Sequence, residues 1–403
     1  MSNTQHSTTY SSDDNSPRRR GARRWLGLAV GLIVVAAAVS IGISIRSRPA
    51  LPPSVSQEEY DQAEAQFRRM FSGSPSHSDI LVLLAESAVQ DERNQIAVDC
   101  FSLIPTDDAR YGTSARFQEA QVLLRMNRAD GAEQSFREFL AVAEERQAPQ
   151  DHTRLAREFL AFILSVELRL EDRREILRDM ERDGQLDIYT AKQLYFPTLL
   201  IWRSSLGSTR LRQFLDQDPD SLNLQIAHAR YLVSEGRLSD ARQALEELHN
   251  RFPHQPDVVA ALLECCYELD DWKKISNVLS KTGEPDSEEL WVTTQVRGAA
   301  ALREHRWSDA ETYFRNVIAQ DAANSTCHIG LAEALQGQGK PSERTAVQQR
   351  SVILAKIRVK LAAANRTSPD AARELAEFAR ELEMADAART FDQLASQMEA
   401  NQG

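Results

Sequence analysis

The stretch GlyArgLeuSerAspAlaArgGlnAlaLeu, residues 236–245, decides the fold class. A polar turn opens it, a small residue follows at Ala241, and a large apolar residue comes four positions later at Leu245. Five other windows lie over it: 92–101, 127–136, 270–279, 305–314 and 382–391. Their small positions are Ala97, Ala132, Ala310 and Ala387, with Ile275 as the exception. Their large positions are Phe101, Phe136, Leu279, Phe314 and Phe391. Ala97 to Ala132 is 35 residues, Ala241 to Ile275 is 34, and Ile275 to Ala310 is 35. A period near 34 with helix–turn–helix content marks a helical-repeat array, in which each hairpin buries its apolar faces only by stacking on its neighbours.

A second small residue precedes the first by twelve positions, at Ala85, Ala120, Ala229 and Gly298. Close helix packing accounts for both. One small residue lets the hairpin's own helices approach, and the other admits the next repeat. Composition agrees, since the 403 residues include only 16 Gly and 14 Pro. Strands and tight hairpins need more of that punctuation.

The net charge is −11. Residues 1–48 carry +5 and the remainder −16. An acidic body argues against nucleic acid as a partner, because a basic face is expected there. Cys265 and Cys266 lie in an apolar helical run and are expected to be buried hydrophobes. No spacing of Cys and His suggests zinc.

Residues 1–24 read as a disordered basic tail, and Trp25–Ile45 as an uncharged run of 21 residues. At 1.5 Å per residue that run spans about 31 Å, the thickness of a bilayer core. Five Arg precede it and Arg46 and Arg48 follow it. The excess puts the N-terminus in the cytoplasm and the body outside, as a single-pass inner-membrane protein bound to the membrane through 25–45. Residues 46–56 form a Pro-containing linker. The rival reading is a cleaved signal segment that releases a soluble secreted protein.

The repeat windows resemble the tetratricopeptide-repeat family over about residues 57–403. The likeness is best at 78–140, 222–330 and 368–398, and degenerate at 150–220 and 341–367. Ala132 to Ala241 is 109 residues, so two degenerate repeats fit between them. The resemblance implies an all-α, right-handed α-solenoid, here preceded by one transmembrane helix. It also implies a scaffold that takes protein or peptide partners along the concave surface of its first helices. Positions carried over onto that groove are Phe117, Gln121, Arg125, Arg230, Gln295 and Arg303. The layout of one anchor and a repeat body suggests envelope protein assembly.

No HExxH, GxSxG or nucleotide-binding glycine loop occurs. The expectation is therefore no enzyme, no cofactor, no metal and no small-molecule substrate. An enzyme with its site in the degenerate segments is the alternative. Glu133 with Arg137 and Glu311 with Arg315 read as solvated pairs one turn apart. His305 falls in an inter-helix turn where the family usually has Gly.

Overall fold

The computed structural model describes residues 50–71, 74–199, 205–283, 285, 289–363 and 368–401. The tail at 1–24, the apolar run at 25–45 and the first part of the linker lie outside them. The chain divides into two compact units, Met1–Gln62 and Ala63–Gly403. In the first, the Val55 N–H donates to the Pro52 carbonyl at 3.0 Å. Ser56 and Glu59 then form a reciprocal cap at the start of α1, Gln57–Met70.

The second unit is all-helical among its described residues, an α-solenoid of nine helix pairs. They are α2/α3 (His77–Gln90, Asn94–Ser102), α4/α5 (Gly112–Arg125, Ala129–Ala143) and α6/α7 (Gln150–Val166, Leu170–Arg182). Next come α8/α9 (Ile188–Tyr195, Ser205–Gln217), α10/α11 (Leu222–Ser234, Leu238–Arg251) and α12/α13 (Pro256–Glu268, Trp272–Thr282). The last are α14/α15 (Trp291–Arg303, Trp307–Gln320), α16/α17 (Ser325–Gly337, Pro341–Ala363) and α18/α19 (Pro369–Glu381, Ala385–Ala400). Two pairs, α6/α7 and α8/α9, occupy the span between Ala132 and Ala241.

The polar turn of the sequence windows has one conformation. Eight of the nine pairs turn on a residue with positive φ: Glu92, Asn127, Leu168, Gly236, Asp270, His305, Gly339 and Glu383. The following N–H closes the turn on a carbonyl five residues back, as Arg306 does on Ala301 at 2.9 Å. His305 thus takes a turn position that glycine enters without strain. In the last window Glu383, not Leu382, takes the positive φ, so its register is one residue later than the pattern suggests, with Ala388 in place of Ala387. Both alanines are buried.

Five residues after the turn sits the closely packed position. Ala97, Ala132, Ala241, Ile275 and Ala310 are all fully buried there. The large residue one turn on fills the space between layers. The Phe314 ring lies between two glycines: a Cβ on Gly298 would be 2.8 Å from its Cε1, and one on Gly330 would be 2.4 Å from its Cζ. Cys100, Cys265, Cys266 and Cys327 are buried, and burial pushes the Cys265 thiol up to about 12.

Pair α6/α7 breaks this rule. Its turn residue is Leu168, and five positions on stands Arg173, only 1% exposed. Arg173 Nη1 donates to Ser165 Oγ at 3.1 Å, but Nε and Nη2 have no partner. Burial lowers its guanidinium to about 10. A buried charge without a carboxylate is costly. Arg173→Met is therefore expected to stabilise the chain by about 1–3 kcal/mol. Urea denaturation of the two proteins reads the difference, and a lower midpoint for the variant would contradict it.

Pairs in an open array touch only their neighbours. Residues 168–198 reach much further. The Leu168 carbonyl accepts from Arg230 at 3.4 Å, and Glu171 Oε1 accepts the Trp291 N–H at 3.0 Å. Thr198 Oγ1 donates to Asp321 at 2.7 Å, and Thr390 Oγ1 donates to Glu181 at 2.7 Å. Phe196, fully buried, stacks on Phe391 with ring centroids 6.0 Å apart. The irregular middle segment thus packs against pairs α10/α11, α14/α15 and α18/α19 and against the loop before α16.

The single-pass localisation is corrected. Among the described residues no helix is long and apolar enough to cross a membrane. The longest, α17, has 23 residues but carries Glu343, Arg344, Arg350, Lys356, Arg358 and Lys360.

Candidate functional site

The turn of the irregular pair lines one cleft. Leu168–Asp172 form one wall, Arg230, Tyr231, Val233 and Ser234 of α10 another, and Asp257 and Glu264 of α12 a third. Leu290, Trp291 and Val292 at the start of α14 complete it. The cleft measures about 110 Å³, the scale of one side chain.

Its back wall is an ion network. Arg169 Nη1 lies 2.6 Å from Glu133 and 3.0 Å from Glu167, and its Nε donates to Asp172 at 2.7 Å. Glu133 also takes Arg137 Nε at 2.8 Å. Burial pushes the Glu167 carboxyl up to about 8, against the pull of Arg169. Burial alone would lower Arg169, but Glu133, Glu167 and Asp172 hold it above its ordinary value. The network joins α5 to both helices of the next pair.

Toward the opening, Arg230 Nε stands 3.6 Å from Glu264. Burial raises the Glu171 carboxyl although the Trp291 N–H donates to it. Both arginines of the lining are engaged, which leaves an excess of carboxylates over Leu290, Trp291 and Val292.

Of the six positions carried over from the resemblance, Arg230 alone lines this cleft. Phe117 is 4% exposed, with the His152 ring stacked on it at 4.5 Å and Phe139 at 5.2 Å. His152, in the first turn of α6, thus covers the ring. Gln121 is half-buried and Arg125 exposed on α4. Gln295 accepts from Asn324 Nδ2 at 3.2 Å, inside the contact between pairs. Arg303 lies over the Trp272 ring at 5.0 Å.

Glu171, Asp257, Glu264 and Trp291 had no signal in the sequence. They come together only because residue 171 meets residue 291, and no local pattern encodes that. In the two pairs read as solvated, the arginines are exposed but the acids are not. Glu133 is 8% exposed, and Glu311 is held by Arg315, Lys340 and Gln338 at 2.7–2.8 Å. Hydrogen bonds from Lys340, Arg315 and Gln338 bring the Glu311 carboxyl down to about 2. Both acids fasten one pair to the next.

No family model matches the sequence, and no curated protein does. Solved structures similar to the chain include a tetratricopeptide repeat protein from Parabacteroides merdae, at 11% identity and a TM-score of 0.31. That match covers 64% of this chain and 99% of the other. The Cut9–Hcn1 hetero-tetramer of the APC/C matches at 13% identity and 0.32, over 84% and 82%. A human IFIT1 dimer with PPP-AAAA matches at 14% identity and 0.35, over 86% and 82%. The exclusion of nucleic acid as a partner, drawn above from the acidic body, is withdrawn. Net charge is a whole-chain sum and does not fix the sign of one surface.

Proposed function

We propose that the chain is a protein-interaction scaffold whose partner inserts one cationic side chain into the cleft between Leu168–Asp172 and Trp291. One observation carries this reading: the cleft gathers residues from four helix pairs and sets carboxylates around an apolar wall. Trp291 and Leu290 suit the aliphatic stem of a lysine or arginine, while Glu171, Asp257 and Glu264 suit its charged end. A volume near 110 Å³ admits a side chain but no folded element. The rest of the partner then lies on helix surface outside the cleft.

The test is a panel of fluorescent peptides that differ only at one central position, titrated into the full chain. Lys and Arg peptides are expected to bind at least 10-fold tighter than Glu or Ala peptides. The double variant Asp257→Lys, Glu264→Lys is expected to erase that preference. Equal binding of all four peptides, or a preference that survives the double variant, would overturn the reading.

A further inference from the structure

A second concavity lies between the α11–α12 turn and α13. It measures about 600 Å³, within the range of small-molecule sites. Val259, Val278 and Leu290 supply apolar wall. Its charged lining is of the opposite sign to the chain. The protein has 41 Arg but only 7 Lys, and Lys273, Lys274 and Lys281 all fall on α13. Lys274 and Lys281 line this pocket with His249 and His254.

Among the described residues, the nearby acids are engaged. Glu289, the carboxylate of the lining, holds Arg297 Nε at 2.8 Å and Thr294 Oγ1 at 3.0 Å. Lys274 Nζ has Glu246 at 3.0 Å. Lys281 makes no ion pair among the described residues. His249 Nδ1 is buried without a hydrogen-bond partner. Buried polar atoms in native proteins are almost always paired, so the orphaned imidazole nitrogen leaves an unmet hydrogen bond at this pocket. Burial first, then Lys274, Lys281 and His254, lowers the His249 pKa, so these four groups are close enough to repel.

We propose that this pocket binds a phosphate monoester, with Lys281 and His249 as its principal contacts. A phosphate supplies three strong acceptor oxygens and nearly two negative charges at neutral pH. That matches several converging donors better than a single carboxylate does. Asn277 and Thr282 offer further polar lining, and the apolar wall accommodates the organic part of the ester. The phosphoryl group comes from a free metabolite or from a phosphorylated side chain; the pocket chemistry is the same.

Isothermal titration of the full chain with phenyl phosphate, benzoate and a phosphoserine peptide tests this. Phenyl phosphate is expected to bind saturably and at least 10-fold tighter than benzoate. Lys281→Glu, on an exposed side chain, and His249→Gln are each expected to weaken it about 10-fold with unchanged circular dichroism. A tighter phosphoserine peptide identifies a phosphoprotein as the source, and a weaker one a free metabolite. No saturable heat with either phosphate ligand would overturn the proposal. So would equal affinity for benzoate, or binding indifferent to both substitutions.

Discussion

Gly330→Val is expected to destabilise the chain by about 3 kcal/mol, the upper range for overpacking a filled core. A Cβ on Gly330 would meet Phe314 Cζ at 2.4 Å. A flexible side chain can often swing away from such a clash. Phe314 has little room to do so, because its ring also packs closely on Gly298, where even a Cβ would lie 2.8 Å from Cε1. The ring is 2% exposed and shares its cluster with Val317, Leu331 and Leu335. Phe314→Ala alone should cost about 3–5 kcal/mol through the cavity it leaves. The double variant should cost less than the two together by about 1–3 kcal/mol, since the added methyls occupy the vacated space. Urea denaturation of the four proteins measures the cycle. Strict additivity would mean that the ring is not the obstacle.

Arg169→Ala is expected to cost about 3–5 kcal/mol, the range for removing one partner of a buried ion pair. The side chain is 18% exposed and meets three carboxylates. Without it, Glu133 keeps Arg137, but the buried Glu167 carboxyl loses its hydrogen-bond donor. The same site sets a pH dependence. Glu167 stands at about 8 in the folded chain against an ordinary 4.5. Between those values the folded state holds a proton that the unfolded state has released, so stability falls as pH rises. Its contribution is complete below about 4.5 and gone above about 8. Glu119, raised by burial to about 7, acts in the same direction. Burial lowers His228, His249 and His328, which act the opposite way below about 6.5. The unfolding midpoint should therefore decline from about pH 7 to 8.5, and Glu167→Gln should flatten that decline. A midpoint that rises over this interval would refute the assignment.

Helix pairs were legible because their grammar is local. The turn, the small residue and the large residue fall within ten positions, and one conformation serves eight turns. Even an unusual residue in the turn, such as His305, leaves the packing rule readable nearby. The cleft was not legible for the opposite reason. Its walls come from α6–α7, α10, α12 and α14, and their meeting depends on how residues 168–198 thread among later pairs. Arg173 illustrates the limit. Nothing in the sequence windows singles it out. In the structure it is the side chain that departs most from the packing rule, in the segment that touches the most distant partners. Phe117 fails in the other direction: the resemblance implied a groove position, but His152 of α6 covers its ring.

The stacking of Phe196 on Phe391 bears on how the chain is made. Tyr195 and Thr390, beside these rings, are 195 residues apart. At about 5–20 residues per second, a growing polypeptide completes residue 196 roughly 10–40 seconds before residue 391 exists. During that interval Phe196 has no cover, and Glu181 has no Thr390. The nascent protein must carry an unfinished apolar seam through half its synthesis, which makes the middle of the chain, rather than either end, the place where a chaperone would be needed.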